Sequence, residues 1–172
     1  MTDTTLTFRF AERKDTTLIL RFIRDLARYE KMEDQVTATE SLLEEWIFDK
    51  QKAEVLFAVV EEKEIGFALF FHNFSTFLGR AGIYLEDLYV MPDYRGHGFG
   101  KAILQKLAAI AVERGCGRLE WWCLDWNRPS IDSVSYTHLK PAWDCGTRRR
   151  SWESFCCPIR RETGSSAEPT WT

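Results

Sequence analysis

Residues 6–10 (Leu6-Thr7-Phe8-Arg9-Phe10) alternate apolar and polar positions, which predicts a half-buried strand. Asp15 then stands where a cap belongs, ahead of a helix running to about Lys31 with Leu18, Phe22, Leu26 and Tyr29 at helical spacing. Thr39-Glu40-Ser41 ahead of Leu42, Leu43, Trp46 and Ile47 predicts a second helix to Phe48. Val55 to Glu61 and Ile65 to Phe74 read as strands joined by a charged turn, and Gly79-Arg80-Ala81-Gly82 marks another turn. Ile83 to Val90 is the next strand, with Glu86 and Asp87 inside an apolar run. A loop, Met91-Pro92-Asp93-Tyr94, leads into a glycine-rich turn. Ala102, Ile103, Leu107, Ala108, Ile110 and Ala111 then form an amphipathic helix ending at Gly115 or Gly117, followed by a Trp-rich strand from Leu119 to Leu124. This order describes a mixed α/β domain whose longest helix follows a glycine turn.

After Asp132 the pattern is lost. Residues 133–172 sustain neither the strand nor the helix period, yet hold three of seven Trp and three of five Cys. With six Lys/Arg against four Asp/Glu they carry +2, whereas residues 1–132, with 17 against 22, carry −5.

Composition narrows the class. A chain of 172 residues with 45% apolar and 28% charged residues is expected to be one soluble globular domain. No run reaches the roughly 18–20 apolar residues of a membrane helix, and the polar start lacks a secretory signal, so a cytoplasmic protein is expected. A net charge of −3 disfavours a nucleic-acid binder and is compatible with a cationic substrate. The five cysteines and three scattered histidines show no metal-site spacing, so no metal is expected.

Candidate chemistry centres on the glycine turn. Gly96, Gly98 and Gly100 open a helix and leave backbone N–H groups uncovered by side chains. The helix N-terminus adds partial positive charge, suiting a pyrophosphate, and Arg95 could add charge-assisted bonds. The glycines alone fit equally a turn that merely packs a helix on a strand. A dinucleotide fingerprint needs another glycine spacing, and a Walker loop needs Ser or Thr where Ala102 follows Lys101.

The wider segment from Leu85 to Gly100, LEDLYVMPDYRGHGFG, resembles the core of the GNAT acetyltransferase superfamily, with Arg95, Gly98 and Gly100 filling its [QR]-x-x-G-x-[GA] pattern. Tyr29-Glu30-Lys31-Met32-Glu33-Asp34-Gln35-Val36 and Trp126-Asn127-Arg128-Pro129-Ser130-Ile131 are similar to its diamine branch, the spermidine/spermine and thialysine N-acetyltransferases. The resemblance implies the GNAT fold, a mixed, mostly antiparallel sheet flanked by helices. It also implies acetyl-CoA as co-substrate, a small amine as acceptor and a homodimer. Backbone groups of Leu88-Tyr89-Val90 would hold the pantetheine arm. Gly96, His97, Gly98, Phe99, Gly100 and Lys101 would hold the pyrophosphate, and Asn127, Arg128, Pro129 and Ser130 would support the reactive end. Tyr29, Glu30, Glu86, Glu120, Trp121 and Trp122 would contact the amine, although Trp121 and Trp122 fit core packing better, and Asp87 reads as structural or as supporting a neighbouring site residue. An amine of pKa about 10.4 is nucleophilic in roughly one molecule in a few thousand at pH 7, so a proton acceptor is needed, and Glu86 is the expected one.

The family's general-acid tyrosine should follow Ile131 closely, but that position holds Val134, and Tyr136 lies about 200° further around a helix. Ser133-Val134-Ser135-Tyr136-Thr137-His138-Leu139 can be encoded TCT GTC TCT TAT ACA CAT CTN, similar to a transposase mosaic end used in library preparation. Residues 133–172 accordingly read as an adapter-derived or out-of-frame tail on a domain ending at Asp132, with the family's last helix and two strands missing. An open edge on the Leu119–Leu124 strand, low stability and weak activity are expected to follow. A second reading is a non-catalytic coenzyme A-binding or interaction module.

Overall fold

The computed structural model describes residues 5–124 and, as backbone, the strand Trp152–Pro158. Six strands are hydrogen-bonded in sequence order: β1 (Leu6–Phe10), β2 (Glu54–Val60), β3 (Lys63–Ser75), β4 (Arg80–Val90), β5 (Arg118–Leu124) and β6 (Trp152–Pro158). The helices are α1 (Thr16–Tyr29), α2 (Glu40–Leu43, continued as a π turn over Glu44–Asp49) and α3 (Phe99–Glu113). The chain divides into two compact units, Met1–Phe71 with Glu86–Ile103 and His72–Leu85 with Leu104–Thr172. Among the described residues no helix is long and apolar enough to cross a membrane.

In the first unit β1 and β3 both pair antiparallel with β2, as the alternating pattern requires. Ile19 and Phe22 of α1, Ile47, Val55, Phe57, Phe67 and Tyr89 form the core, with the Phe22 and Phe67 rings stacked 5.4 Å apart. Asp15 precedes α1 as expected, but its side chain does not cap the helix. Its carboxylate instead accepts the Glu12 N–H at 2.8 Å and two bonds from Arg9 at 2.7 and 3.0 Å. Arg9 also donates to Glu64, so one guanidinium joins β1, the start of α1 and β3.

The Arg9 bond, foremost, holds the Asp15 carboxyl below the usual carboxylate range, against burial. A depressed carboxyl pKa adds stability above the unfolded value that disappears as pH falls through the folded one. Asp15→Asn is expected to cost about 1–2 kcal/mol in urea unfolding at neutral pH, allowing for the part-exposed Arg9 partner. The difference from the parent should shrink below about pH 4.

In the second unit β4 pairs parallel with β5 over Ile83, Tyr84 and Leu85 against Leu119, Glu120 and Trp121. Among the described residues this pairing is recorded as far as Leu85 on β4. Helix α3 buries Leu107, Ala108, Ile110 and Ala111 and stops as predicted at Gly115, with φ of 71°. The expectation of an open outer edge on β5 is corrected, because β6 pairs antiparallel along all of it, from Arg118↔Pro158 to Leu124↔Trp152. The sequence of β6, Trp-Glu-Ser-Phe-Cys-Cys-Pro, lacks clean alternation, which is why its pattern predicts no strand. Unpaired ladder groups on β5 favour any extended segment that satisfies them, and Pro158 suits the end of an edge strand.

Candidate functional site

Helix α1 ends in a turn that presents two of the expected amine contacts. Lys31 adopts a left-handed φ of 61°, its N–H reaches the Arg28 carbonyl at 3.2 Å, and Met32 N–H reaches the Ala27 carbonyl at 2.8 Å. This Schellman arrangement halts the helix and fixes Tyr29 and Glu30 just before it. Burial raises the Glu30 carboxyl above its ordinary range.

Strand β4 supplies the other carboxyls. Glu86 is exposed, Asp87 is half-buried, and Tyr89 and Val90 are buried. The Asp87 carboxyl is pushed up to about 7, by burial first and then by the negative fields of Glu86 and Glu30. The sequence leaves Asp87 as structural or as supporting a neighbouring site residue. The signal was present: successive strand residues face opposite sides, so two adjacent acids in an apolar run force one toward the covered side.

The end of β4 is held by a close approach to β3. A Cβ on Gly66 would lie 2.5 Å from the Tyr89 carbonyl oxygen and 3.2 Å from Val90 Cα, so only glycine fits without a shift. Met91 N–H then donates to the Ile65 carbonyl at 2.8 Å. Pattern reading gave Gly66 no role, since its constraint comes from a strand twenty residues away.

After the short turn Pro92–Tyr94 comes the glycine segment. Gly96 and Gly98 both have φ of 80° with open space where a side chain would sit. These glycines answer a backbone need and leave the turn uncovered, which favours the phosphate-cradle reading over a packing turn. A Cβ on Gly100 would make only an ordinary 3.8 Å contact with Leu88. The His97 ring stacks 5.8 Å from Phe99, and Lys101 is exposed in the first turn of α3. Arg95 donates from Nε to the Val90 carbonyl at 2.9 Å, and its guanidinium lies 4.4 Å from the Tyr29 ring centroid and 5.4 Å from that of Tyr89.

The remaining described candidates belong to the second unit. Glu120 accepts from Asn73 Nδ2 at 2.5 Å and is ion-paired with Arg118 Nε at 2.9 Å without hydrogen-bond alignment. Its charge is thus engaged by two residues to which the sequence reading assigns no role. Trp121 is buried and Trp122 is 43% exposed, as alternation on a strand requires. Asn127, Arg128, Pro129 and Ser130 lie outside the described residues.

The sequence profile of the Acetyltransferase (GNAT) family matches residues 20–133. The chain belongs to that family. It is 38% identical over 156 aligned positions to the thialysine N-epsilon-acetyltransferase of Sus scrofa, covering 86% of this chain and 89% of that one. It is 41% identical over 133 positions to the Bos taurus enzyme of the same name, covering 72% and 78%. These relatives place this acetyltransferase in the thialysine and diamine-like branch. The pig alignment spans about 148 residues of the chain, so it reaches past Asp132. Among solved structures, yncA of Salmonella typhimurium, described as a putative acetyltransferase with its cofactor acetyl-CoA, superposes with a TM-score of 0.72. At 19% identity, over 95% of this chain and 99% of that one, this likeness shows the GNAT fold.

Proposed function

We propose that this acetyltransferase transfers an acetyl group from acetyl-CoA to a primary amine of a small cation, a diamine, polyamine or thialysine-like amino acid, by direct attack in a ternary complex. The observation that carries the reading is the acidic group formed by Glu30, Glu86 and Asp87 in the unit that also holds the glycine turn. Three carboxyls attract a cation, and the protonated amine must then lose a proton.

A carboxyl with a pKa of about 7 suits that step. Taking a proton from an amine of pKa 10.4 costs about 5 kcal/mol for such a group, against about 9 kcal/mol for an unperturbed aspartate. In this reading Asp87 accepts the proton, while the exposed Glu86 and Tyr29-Glu30 hold the amine. The residues suited to the donor are the uncovered turn Gly96–Gly98, Lys101 and the backbone groups of Leu88 and Val90. Acetyl-CoA would supply the activated acyl group, backbone N–H groups of β4 would steady negative charge on the carbonyl oxygen, and as the C–N bond forms the C–S bond would break, coenzyme A leaving as a thiolate that takes its proton from water. A cytoplasmic homodimer completes the proposal, with 133–172 read as foreign to the family domain although the pig alignment runs on into it.

The test is thiol release from acetyl-CoA over a panel of amines. It should be run on this chain and on a chimera carrying a relative's C-terminus after Asp132. Turnover of small cationic amines, much faster in the chimera, is the expected outcome. Coenzyme A binding with no turnover by either chain would favour the non-catalytic module instead.

A further inference from the structure

In the first unit the Arg95 side chain touches both the expected donor cradle and the expected amine wall. Its backbone begins the glycine turn, with Arg95 N–H on the Pro92 carbonyl at 3.1 Å and its own carbonyl 2.9 Å from His97 Nδ1. Its Nε is engaged by the Val90 carbonyl, which fixes the last peptide of β4. Its planar face covers Tyr29, the residue with which α1 ends. The glycine turn, the end of β4 just before it and the end of α1 much earlier in the chain therefore meet on Arg95.

We propose that Arg95 is a positioning residue that couples the donor cradle to the amine-binding wall, and is not principally a phosphate ligand. A planar guanidinium can stack its face on a ring while donating in its plane, whereas a lysine ammonium is a point charge with no flat face to stack. Arg95 would thus set the Tyr29 ring and the Val90 peptide in register with each other. This rests on the reading above, in which Tyr29 faces the amine and the end of β4 faces the donor.

The decisive comparison uses two donors, acetyl-CoA and S-acetylpantetheine, the second having no phosphate. In Arg95→Met, kcat/KM is expected to fall by a similar factor for both, with the amine KM raised about fivefold, the size expected for an exposed cation–π contact. A loss confined to acetyl-CoA, with S-acetylpantetheine unaffected, would overturn the proposal, because only a phosphate ligand behaves so. Arg95→Lys keeps the charge and should show the same amine KM rise; full retention of parent kinetics would also overturn it.

A thermal-unfolding cycle of Arg95→Met, Tyr29→Leu and the double variant, with no substrate present, tests the pairing itself. Positive coupling supports the contact and strict additivity overturns it. Should no amine be turned over by any variant or by the parent, the functional reading falls, while this cycle still decides the Arg95–Tyr29 link.

Discussion

Replacing Asp87 with Asn is expected to slow acetyl transfer by about 10²- to 10⁴-fold, the usual effect of a lost general base, while making the fold more stable above pH 7. The two effects have one origin. Burial and the neighbouring Glu86 and Glu30 hold the Asp87 carboxyl at about 7. The folded chain therefore keeps a proton that the unfolded chain gives up near pH 4. Stability contributed by that difference is present at low pH and declines as pH rises to about 7, beyond which the buried charge is fully formed. Asparagine carries no such charge, so the variant should gain on the order of 2 kcal/mol over the parent at pH 8. The gain should vanish toward pH 4. Urea unfolding at several pH values reads the stability effect, and the pH profile of kcat/KM reads the catalytic one. The parent profile should rise through about pH 7, and that limb should be absent in the variant. A variant that is slower but less stable at pH 8 would mean that Asp87 acts through structure alone. Glu86→Gln is the comparison: the exposed carboxylate should affect amine KM more than stability.

Gly66→Ala is expected to destabilise the chain by about 1–3 kcal/mol and to weaken donor binding beyond what the lost stability explains. The new methyl would sit 2.5 Å from the Tyr89 carbonyl oxygen and 3.2 Å from Val90 Cα, and both are backbone atoms that no side-chain rotation can relieve. One strand must move, and the displaced segment is the end of β4, whose backbone groups are proposed to meet the donor. Gly100→Ala serves as the comparison within the expected donor cradle, because the family pattern admits Ala there, its methyl would make one ordinary contact at 3.8 Å and no positive φ is strained. Calorimetric titration with coenzyme A at a temperature where both variants are folded separates them. Equal affinities would show that the end of β4 tolerates the shift.

Local pattern made much of this protein legible. Apolar spacing placed α1, α3 and strands β1 to β5 within a few residues, because each buries one face and its period reports that face. The glycine turn was legible too, since the positive φ of Gly96 and Gly98 is a local requirement that residue identity records. What escaped is non-local. The chain predicts Asp15 as a helix cap, but Arg9 draws that carboxylate away. The motif that offers Arg95 to a phosphate gives no sign that its guanidinium also stacks on the distant Tyr29 ring. Strand β6 has no periodic signature and is recruited by the ladder groups of β5.

The sequence by itself determined the family, the order of elements and the uncovered glycine turn, because these depend on residue type and spacing along the chain. Only the tertiary structure decided that burial lifts the Asp87 carboxyl and why Gly66 must be glycine. It alone also decided what Arg95 touches. Each of these depends on desolvation or on a contact between segments far apart in sequence, and such quantities exist only once the chain has folded.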